Sequence, residues 1–516
     1  MKEKFMFDRS TFGRDFLASI VVFLVALPLC MGIAIASGVP PQLGIATGII
    51  GGLVVGFISG SPLQVSGPAA GLSVIVFELV RDMGLPMLGP ILLLAGVIQF
   101  AAGRLKLGRW FRAISPAVVY GMLAGIGILI IGSQLYVMVD DKPRANGLQN
   151  LLALPDAIRK GAFPQDGQTH HVAALLGVFT LAVLLAWNKF RPKRLKALPG
   201  TLLGVVAATA LAQVLQLPVK HVTLPADFFG SFALPTSASF LKLLEPSVLL
   251  SALAVAFVAS AETLLSAAAV DKMHSGKPAN YDKELSAQGV GNALCGLIGA
   301  LPMTGVIVRS SANVQAGAKT RLSAIFHGIW LLALVALFPG LLGMVPTASL
   351  AAVLIFTGYK LVEVEHLRKL REYGRFPVMI YAATVLAIVF TDLLTGVMVG
   401  LGLSLAKLLY KATQIKVRIH YSTEENVADV YLKGTATFLR LPQIAAALES
   451  VPTTTIVHIH VDELYYIDHT CYDLLRSHVR QMEKKGGKAI IAWDALHSRY
   501  HMADYQERPA KLDIAA

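Results

Sequence analysis

The sequence predicts a polytopic α-helical membrane protein of about fourteen transmembrane segments with a small cytoplasmic α/β domain at its end, and three observations predict it. Apolar stretches follow one another from Phe16 to Tyr410 in a chain of 516 residues that is 55% hydrophobic and 15% charged, with a mean hydropathy of +0.63. A hydrocarbon core of ~30 Å takes ~20 apolar residues per helix, so this region has room for many spans. Basic residues cluster in the short connections with a fixed parity. After Tyr410 the composition changes abruptly to short alternating strands and amphipathic helices.

In order, the candidate spans lie near 16–37, 41–59, 66–80, 87–103, 114–138, 172–187, 199–216, 246–270, 285–300, 304–316, 322–338, 348–362, 377–391 and 394–410. The first lacks a small-residue cleavage site and a second apolar run follows at once, so it reads as a helix and not as a signal peptide. Arg104, Lys106, Arg109 and Arg112 follow the fourth span, and Lys189, Arg191, Lys193, Arg194 and Lys196 the sixth. Lys272, Lys277 and Lys283 follow the eighth, Lys319 and Arg321 the tenth, and Arg368, Lys369, Arg371 and Arg375 the twelfth. Every strongly basic connection thus follows an even-numbered span, which puts both termini in the cytoplasm. The net charge of +13 is accounted for by these loops and implies no nucleic-acid partner. Cys30, Cys295 and Cys471 are scattered and have neither metal nor redox spacing.

The third and tenth segments, QVSGPAAGLSVIVFELV and LPMTGVIVRSSANVQAG, are short and open with Pro, Gly and small residues. They occupy the third position of each half if the chain divides into seven plus seven, and such pairs point to a transporter site between inverted repeats. A half-helix starting at mid-membrane offers free backbone N–H groups and the positive end of its dipole, which together bind an anion. Two charges sit in otherwise apolar segments: Arg309 in the tenth and Glu262 in SALAVAFVASAETLLSAAAV of the eighth. Intramembrane charges mark substrate or ion paths or pair with one another. Glu262 and Ser266 share one helix face at i, i+4 spacing. Glu78, near the outer end of the third segment, is expected to reach the membrane interface.

The tail reads as NVADVYLKGTATF strand, LPQIAAALES helix, TTTIVHIHVDEL strand, CYDLLRSHVRQMEKKGG helix and KAIIAWD strand, joined to the last span by the basic run KATQIKVR. His458 and His460 alternate on one strand. Without further clustered ligands they are read as packing residues of the core or a dimer face, and no metal site is expected. No nucleotide-binding loop occurs, which argues against an ATP-driven pump, and no catalytic constellation converges.

These residues resemble the SulP family, the sulfate permeases and relatives that include prestin, pendrin and the cyanobacterial bicarbonate permease. The matching pieces are LPLCMGIAIASGVPP, SGPAAG, NYDKELSAQGVGNALCGLIGALP and VRSSANVQAGAKTRLSAIFHG, followed by VDELYYIDHTC at the strand-to-helix turn of a STAS-like tail. The resemblance implies a membrane domain over 1–412, with inverted repeats about 12–217 and 245–412 arranged as core and gate subdomains, and a STAS-like domain over 413–516. It implies an anion site between spans three and ten at Ala69, Ala70 and Gly305 to Arg309, with Val308 where prestin-like relatives carry a serine. Leu29 and Ile33 replace the glutamine and aromatic of animal members, so the pocket is less polar. Glu262 and Ser266, with Gly305 beside them, match the cation-coupling region, where the coupling ion is sodium or a proton and no other cofactor is implied. Ile307 stands where the bicarbonate permease has a threonine. Asp468-His469-Thr470-Cys471 puts Thr470 at the phosphorylatable position of related domains, but Cys471 replaces the usual glycine and the turn is read first as a helix start.

The function expected is cation-coupled bicarbonate uptake across a bacterial inner membrane by alternating access. The alternatives are a sulfate or dicarboxylate proton symporter, and an uncoupled anion exchanger or channel. The resemblance also implies a homodimer. IDHTCYDLL and WDALHSRYH in the tail are similar to members found beside carbonic anhydrases, a candidate cytoplasmic partner.

Overall fold

Runs of apolar residues in a membrane leave the backbone no hydrogen-bond partner but itself, and in the computed structural model each of the fourteen predicted segments contains a helix. The structure describes residues 9–109, 115–144, 147–163, 169–192, 198–223, 232, 234, 241–422, 426–452 and 455–492. Arg112, Lys193, Arg194, Lys196 and the segment WDALHSRYH fall outside these. The first half of the membrane region has α1 (Arg9–Ala36), α2 (Pro41–Ile58), α3 (Ala70–Met83), α4 (Leu85–Arg104), α5 (Pro116–Met138), α6 (His170–Phe190) and α7 (Gly200–Val214). The second has α8 (Pro246–Asp271), α9 (Tyr281–Ile298), α10 (Ile307–Gln315), α11 (Leu322–Leu337), α12 (Thr347–Leu361), α13 (Arg375–Phe390) and α14 (Leu393–Ala412). Of the basic residues after α12, Arg368, Lys369 and Arg371 lie not in a loop but in a further short helix, Val364–Glu372, and Arg375 opens α13.

Among the described residues, eight helices are long and apolar enough to cross a membrane by length and composition: α1, α2, α4, α5, α6, α8, α12 with its continuation, and α14. Three shorter apolar helices are α7, α11 and α13. The remaining three, α3, α9 and α10, depart for physical reasons. At ~1.5 Å per residue, the 14 residues of α3 and 9 of α10 cannot span ~30 Å of hydrocarbon. The third, α9, carries a polar stripe, Glu284, Gln288 and Asn292, at four-residue spacing and with no exposure.

The stripe is covered by the Ser59–Ser61 turn, Ser66 and Met303, while the neighbouring face of α9 lies backbone to backbone on α4. A Cβ on Gly96 would meet the Ala293 nitrogen at 2.4 Å, and one on Gly289 would meet the Phe100 nitrogen at 2.4 Å. Inside lipid, where apolar burial distinguishes little between helix and acyl chain, such small-residue seams supply the close packing. Elsewhere α1 packs on α11, α5 on α12 and α13, and α6 on α7.

Two three-residue strands precede the short helices. β1 (Ser66–Pro68) and β2 (Met303–Gly305) pair antiparallel, Ser66 opposite Gly305 and Pro68 opposite Met303. They tie together chain segments more than two hundred residues apart. Two buried carboxylates clasp the same region. Glu284 accepts from the Ser59 hydroxyl (2.6 Å), the Gly60 N–H (2.8 Å) and the Ser61 N–H (2.9 Å), while its other oxygen accepts from Gln288 (2.9 Å). Asp15 of α1 accepts from the Lys319 N–H (2.7 Å), the Thr320 N–H (3.0 Å) and the Thr320 hydroxyl (2.6 Å).

Replacing Glu284 by Ala removes four hydrogen bonds; Ser59, Ser61 and Gln288 keep second acceptors in Ser61 O, Ser59 Oγ and Ser66 Oγ, while the Gly60 N–H loses its acceptor, a loss worth ~1–3 kcal/mol. The expected result is a protein that melts several degrees lower, or aggregates on detergent extraction, in a thermal-shift size-exclusion measurement. An unaltered melting profile would refute the clasp.

The chain divides into two units, Met1–Leu401 and Gly402–Ala516, a division that falls inside α14. The second unit has one sheet, ordered β3 (Ile415–Ser422), β4 (Val427–Ala436), β5 (Ile456–His460) and β7 (Lys488–Ile491), with β6 (Leu464–Ile467) pairing the far end of β4. β3 runs antiparallel to β4, while β5, β6 and β7 make parallel pairings. Helices α15 (Leu441–Glu449) and α16 (His469–Lys484) bury Ile444, Leu448, Leu475 and Val479 with Val430, Leu432, Val457 and Ile459. Two local readings differ from the sequence expectation. The second half of the joining run KATQIKVR is the start of β3, whose Ile-Lys-Val-Arg alternation is a strand period. TTTIVHIHVDEL is not one strand, because the chain turns after His460 and Leu464 opens β6.

Candidate functional site

The geometry of the candidate site follows from where α3 and α10 begin. Their N-caps, Ala69 and Val306, have extended backbones that lead directly out of β1 and β2. The antiparallel pairing of these strands therefore brings both helix starts to one place from opposite directions. The first N–H groups of a helix have no acceptor within it. At α3 these belong to Ala70 and Gly71, since the Leu72 N–H already reaches Ala69 O at 3.2 Å. At α10 they belong to Ile307, Val308 and Arg309, since the Ser310 N–H binds Val306 O at 3.0 Å. Two starts add two partial positive ends, about +0.5 charge each.

Of the residues singled out from sequence, Ala69 is buried and Ala70 and Val308 are half-buried at these starts. Gly305 lies in β2, but its N–H donates to Thr263 Oγ1 at 3.1 Å, so it offers no free donor to a ligand. The Val306 N–H is likewise taken by Val65 O at 2.9 Å. At α10 the open donors therefore begin at Ile307, two residues later than the sequence suggested.

Arg309 has no exposed surface. Its guanidinium folds back beneath β1: a Cβ on Gly67 would stand 2.0 Å from Nη1, and Nη2 donates to Pro68 O at 3.4 Å. Nε and Nη1 have no hydrogen-bond partner in the protein. Glu262 approaches from α8 on the other side, its carboxylate against the first turn of α3, where a Cβ on Gly71 would meet Oε2 at 2.8 Å and Oε1 at 3.1 Å. Oε2 has no partner either, so Glu262 and Arg309 do not form an ion pair. Ser266 is buried one turn further along α8. A buried cation without a counter-charge is costly. With the two helix starts it makes a place where an anion would lower the energy, and the Glu262 carboxylate lies against the first turn of α3.

The polar scaffold behind the site was not picked out from sequence. Thr263 holds β2 through Gly305 and accepts Gln64 Nε2 on its carbonyl at 3.0 Å. Gln288 donates to Ser66 Oγ at 2.6 Å. Asn292 grips Met303 on both sides, accepting its N–H at 2.7 Å and donating to its carbonyl at 3.0 Å, and donates to Gln99 Oε1 at 2.7 Å. Ser310 Oγ accepts the Val65 N–H at 2.9 Å. The signal was available in the i, i+4, i+8 polar stripe of α9.

Two cavities approach from opposite ends. One is lined by Ala36 of α1, Ser73, Phe77 and Glu78 of α3, and Ser133 of α5. Glu78 thus faces a cavity beside the site and not only the interface expected from sequence. The other is lined by Val25 of α1, Ala312 and Gln315 of α10, and Arg191 after α6. In the tail, Thr470 is half-buried in the first turn of α16. Asp468 caps that helix by accepting the Cys471 N–H at 2.8 Å. Burial, and then the neighbouring Asp468, push the Cys471 thiol up to about 12.

The model of the sulfate permease family matches residues 12–384. YvdB of Bacillus subtilis (strain 168) is 28% identical, covering 94% of this chain and 92% of its own. The bicarbonate transporter BicA of Picosynechococcus sp. (strain ATCC 27264 / PCC 7002 / PR-6) is 26% identical over 75% of this chain and 68% of its own. Among solved structures, the murine Solute Carrier 26 family member A9 anion transporter in the inward-facing state superposes with a TM-score of 0.78 at 15% identity, covering 96% of this chain and 88% of that one.

Proposed function

Because the chain belongs to the sulfate permease family, and so to membrane anion transporters and not to enzymes, we propose that it is a secondary active carrier of small inorganic anions, taking up bicarbonate with a coupled sodium ion or proton. The observation that carries this reading is the meeting of the α3 and α10 starts across β1 and β2, with an unpaired Arg309 behind them and Glu262 alongside. The anion sits on the N–H groups of Ala70, Gly71, Ile307 and Val308. Arg309 supplies standing positive potential. Glu262, with Ser266 and the neighbouring Gly305, takes the proton or sodium ion. A negative Glu262 opposes the anion; neutralised, it does not, and loading of the two is thereby coupled. The two cavities, each ending near one short helix, are the routes of access, opened in turn as a core of α1–α4 and α8–α11 moves against a gate of α5–α7 and α12–α14, the two halves being inverted repeats of seven.

Bicarbonate is favoured by the likeness to BicA and by the Glu262–Ser266 pair; sulfate is the second reading, favoured by the family itself. The proposal places the protein in a bacterial inner membrane with both termini cytoplasmic, as a homodimer. The tail is a STAS-like domain open to a cytoplasmic partner such as carbonic anhydrase and to control at Thr470. Uptake of a panel of labelled anions into proteoliposomes, with and without sodium and proton gradients, tests it. Concentrative bicarbonate uptake is expected; accumulation of none of the panel under any gradient would refute it.

The tail has no group at mid-membrane in this scheme. Removing residues 414–516, a cut ahead of β3 that leaves no orphaned strand, is expected to lower activity or abundance but to preserve the rank order of anions per inserted molecule. A changed rank order in liposomes would mean that the tail shapes the path itself.

A further inference from the structure

Alternation along β4 and β5 sends Ala428, Val430, Val457 and Ile459 into the core of the second unit and Asp429, Tyr431, His458 and His460 to the opposite face. The two strands are parallel and in register, Asp429 beside His458 and Tyr431 beside His460. The fold therefore supplies the third ligand type that the two histidines lacked in the sequence. One ligand atom each of Asp429, His458 and His460 lies within 4.8 Å of the others, and all three side chains are half-buried.

We propose that Asp429, His458 and His460 form a binding site for a divalent transition ion of the zinc class. Two imidazoles and one carboxylate are a donor set that zinc accepts, with bonds of ~2.0–2.2 Å and therefore ligand atoms ~3.4 Å apart. The cluster reaches that spacing through small side-chain rotations. The pair His460 Nε2 and Asp429 Oδ1 at 2.8 Å opens by about half an ångström as the proton between them is displaced by the ion, while the other separations, all within 4.8 Å, close by at most about 1.4 Å. Tyr431 stacks on His460 with ring centroids 4.3 Å apart and planes 8° from parallel, which holds that imidazole in place. The fourth position is left for water, or for His420, which stands opposite Asp429 across the β3–β4 ladder.

The site lies on the sheet of the second unit and shares no residue with the proposed anion site, so it stands or falls independently of the anion reading. The test uses the full-length protein in detergent, stripped with chelator and then dialysed against zinc, with cobalt as a spectroscopic substitute. One zinc per chain and the visible absorption of four-coordinate cobalt are expected. Affinity should fall at least tenfold in His458→Ala and in Asp429→Asn. His458→Ala leaves the His460–Asp429 hydrogen bond in place, and an unchanged circular dichroism spectrum in that variant separates lost ligation from lost fold. Zinc uptake in wild type no greater than in a His458→Ala/His460→Ala double variant, or six-coordinate cobalt spectra identical in both, would overturn the site.

Discussion

Glu262→Gln is expected to reduce gradient-driven anion accumulation to the level of empty liposomes while the protein remains folded and inserted. Gln keeps the volume beside Gly71 and can be held against the first turn of α3, so packing is preserved. It can neither exchange a proton nor bind sodium as a carboxylate, and it presents the same neutral face to the anion at every stage of the cycle. Exchange of anion for anion, which needs no net coupling, should survive. Accumulation ratios measured at several pH values, with and without sodium, check this. Concentrative uptake at the wild-type ratio would remove Glu262 from the coupling step.

Arg309→Ala is expected to weaken anion binding by roughly tenfold to a hundredfold, the worth of a charge-assisted interaction of ~1.5–3 kcal/mol. The maximal rate should change less, because a fixed charge acts on the bound anion throughout the cycle. Ala also leaves a void beneath Gly67, and Arg309→Met is the companion variant that fills it. The Met variant should fold as wild type yet bind as poorly as Ala. Lys should recover part of the affinity, since it restores charge but not the planar donor fork. Binding isotherms for bicarbonate and sulfate on the three variants decide it, and wild-type affinity in Arg309→Met would mean that the anion lies elsewhere.

The membrane helices were legible in the sequence because lipid imposes one rule, apolar side chains around a self-satisfied backbone, and α2 to α14 begin and end within a few residues of the expected spans, while α1 starts seven residues early at Arg9. The short α3 and α10 were legible for the opposite reason: their Pro, Gly and small residues break that rule at matching places. What one dimension hid was the strand pairing between them. Three residues such as Ser66-Gly67-Pro68 have no period to read, and their partner lies beyond residue 300. The same long-range closure decides which donors are free, and only the fold reveals that Thr263 has already taken the Gly305 N–H. Glu284 escaped notice because it sits among Asp282 and Lys283 near a basic connection, where charge looks solvated. Its place in the stripe with Gln288 and Asn292 becomes meaningful once the Ser59–Ser61 turn, Ser66 and Met303 close over that face. In the tail, the alternation of His458 and His460 was visible, while Asp429 was separated from them by a helix.

The two carboxylate clasps have a bearing on how the protein is made. Asp15 is on α1, yet its acceptor oxygens wait for Lys319 and Thr320, made some three hundred residues later. The amides of Gly60 and Ser61 wait for Glu284, which follows Ser61 by 223 residues. At about 5–20 residues per second, that turn goes unclasped for roughly 10–45 s of synthesis. Throughout this interval the nascent first half holds α3 without its β2 support and α4 without α9, with the glycine seam of α4 open. The last event that closes the site is therefore the arrival of α9 to α11, after α1 to α8 have been made.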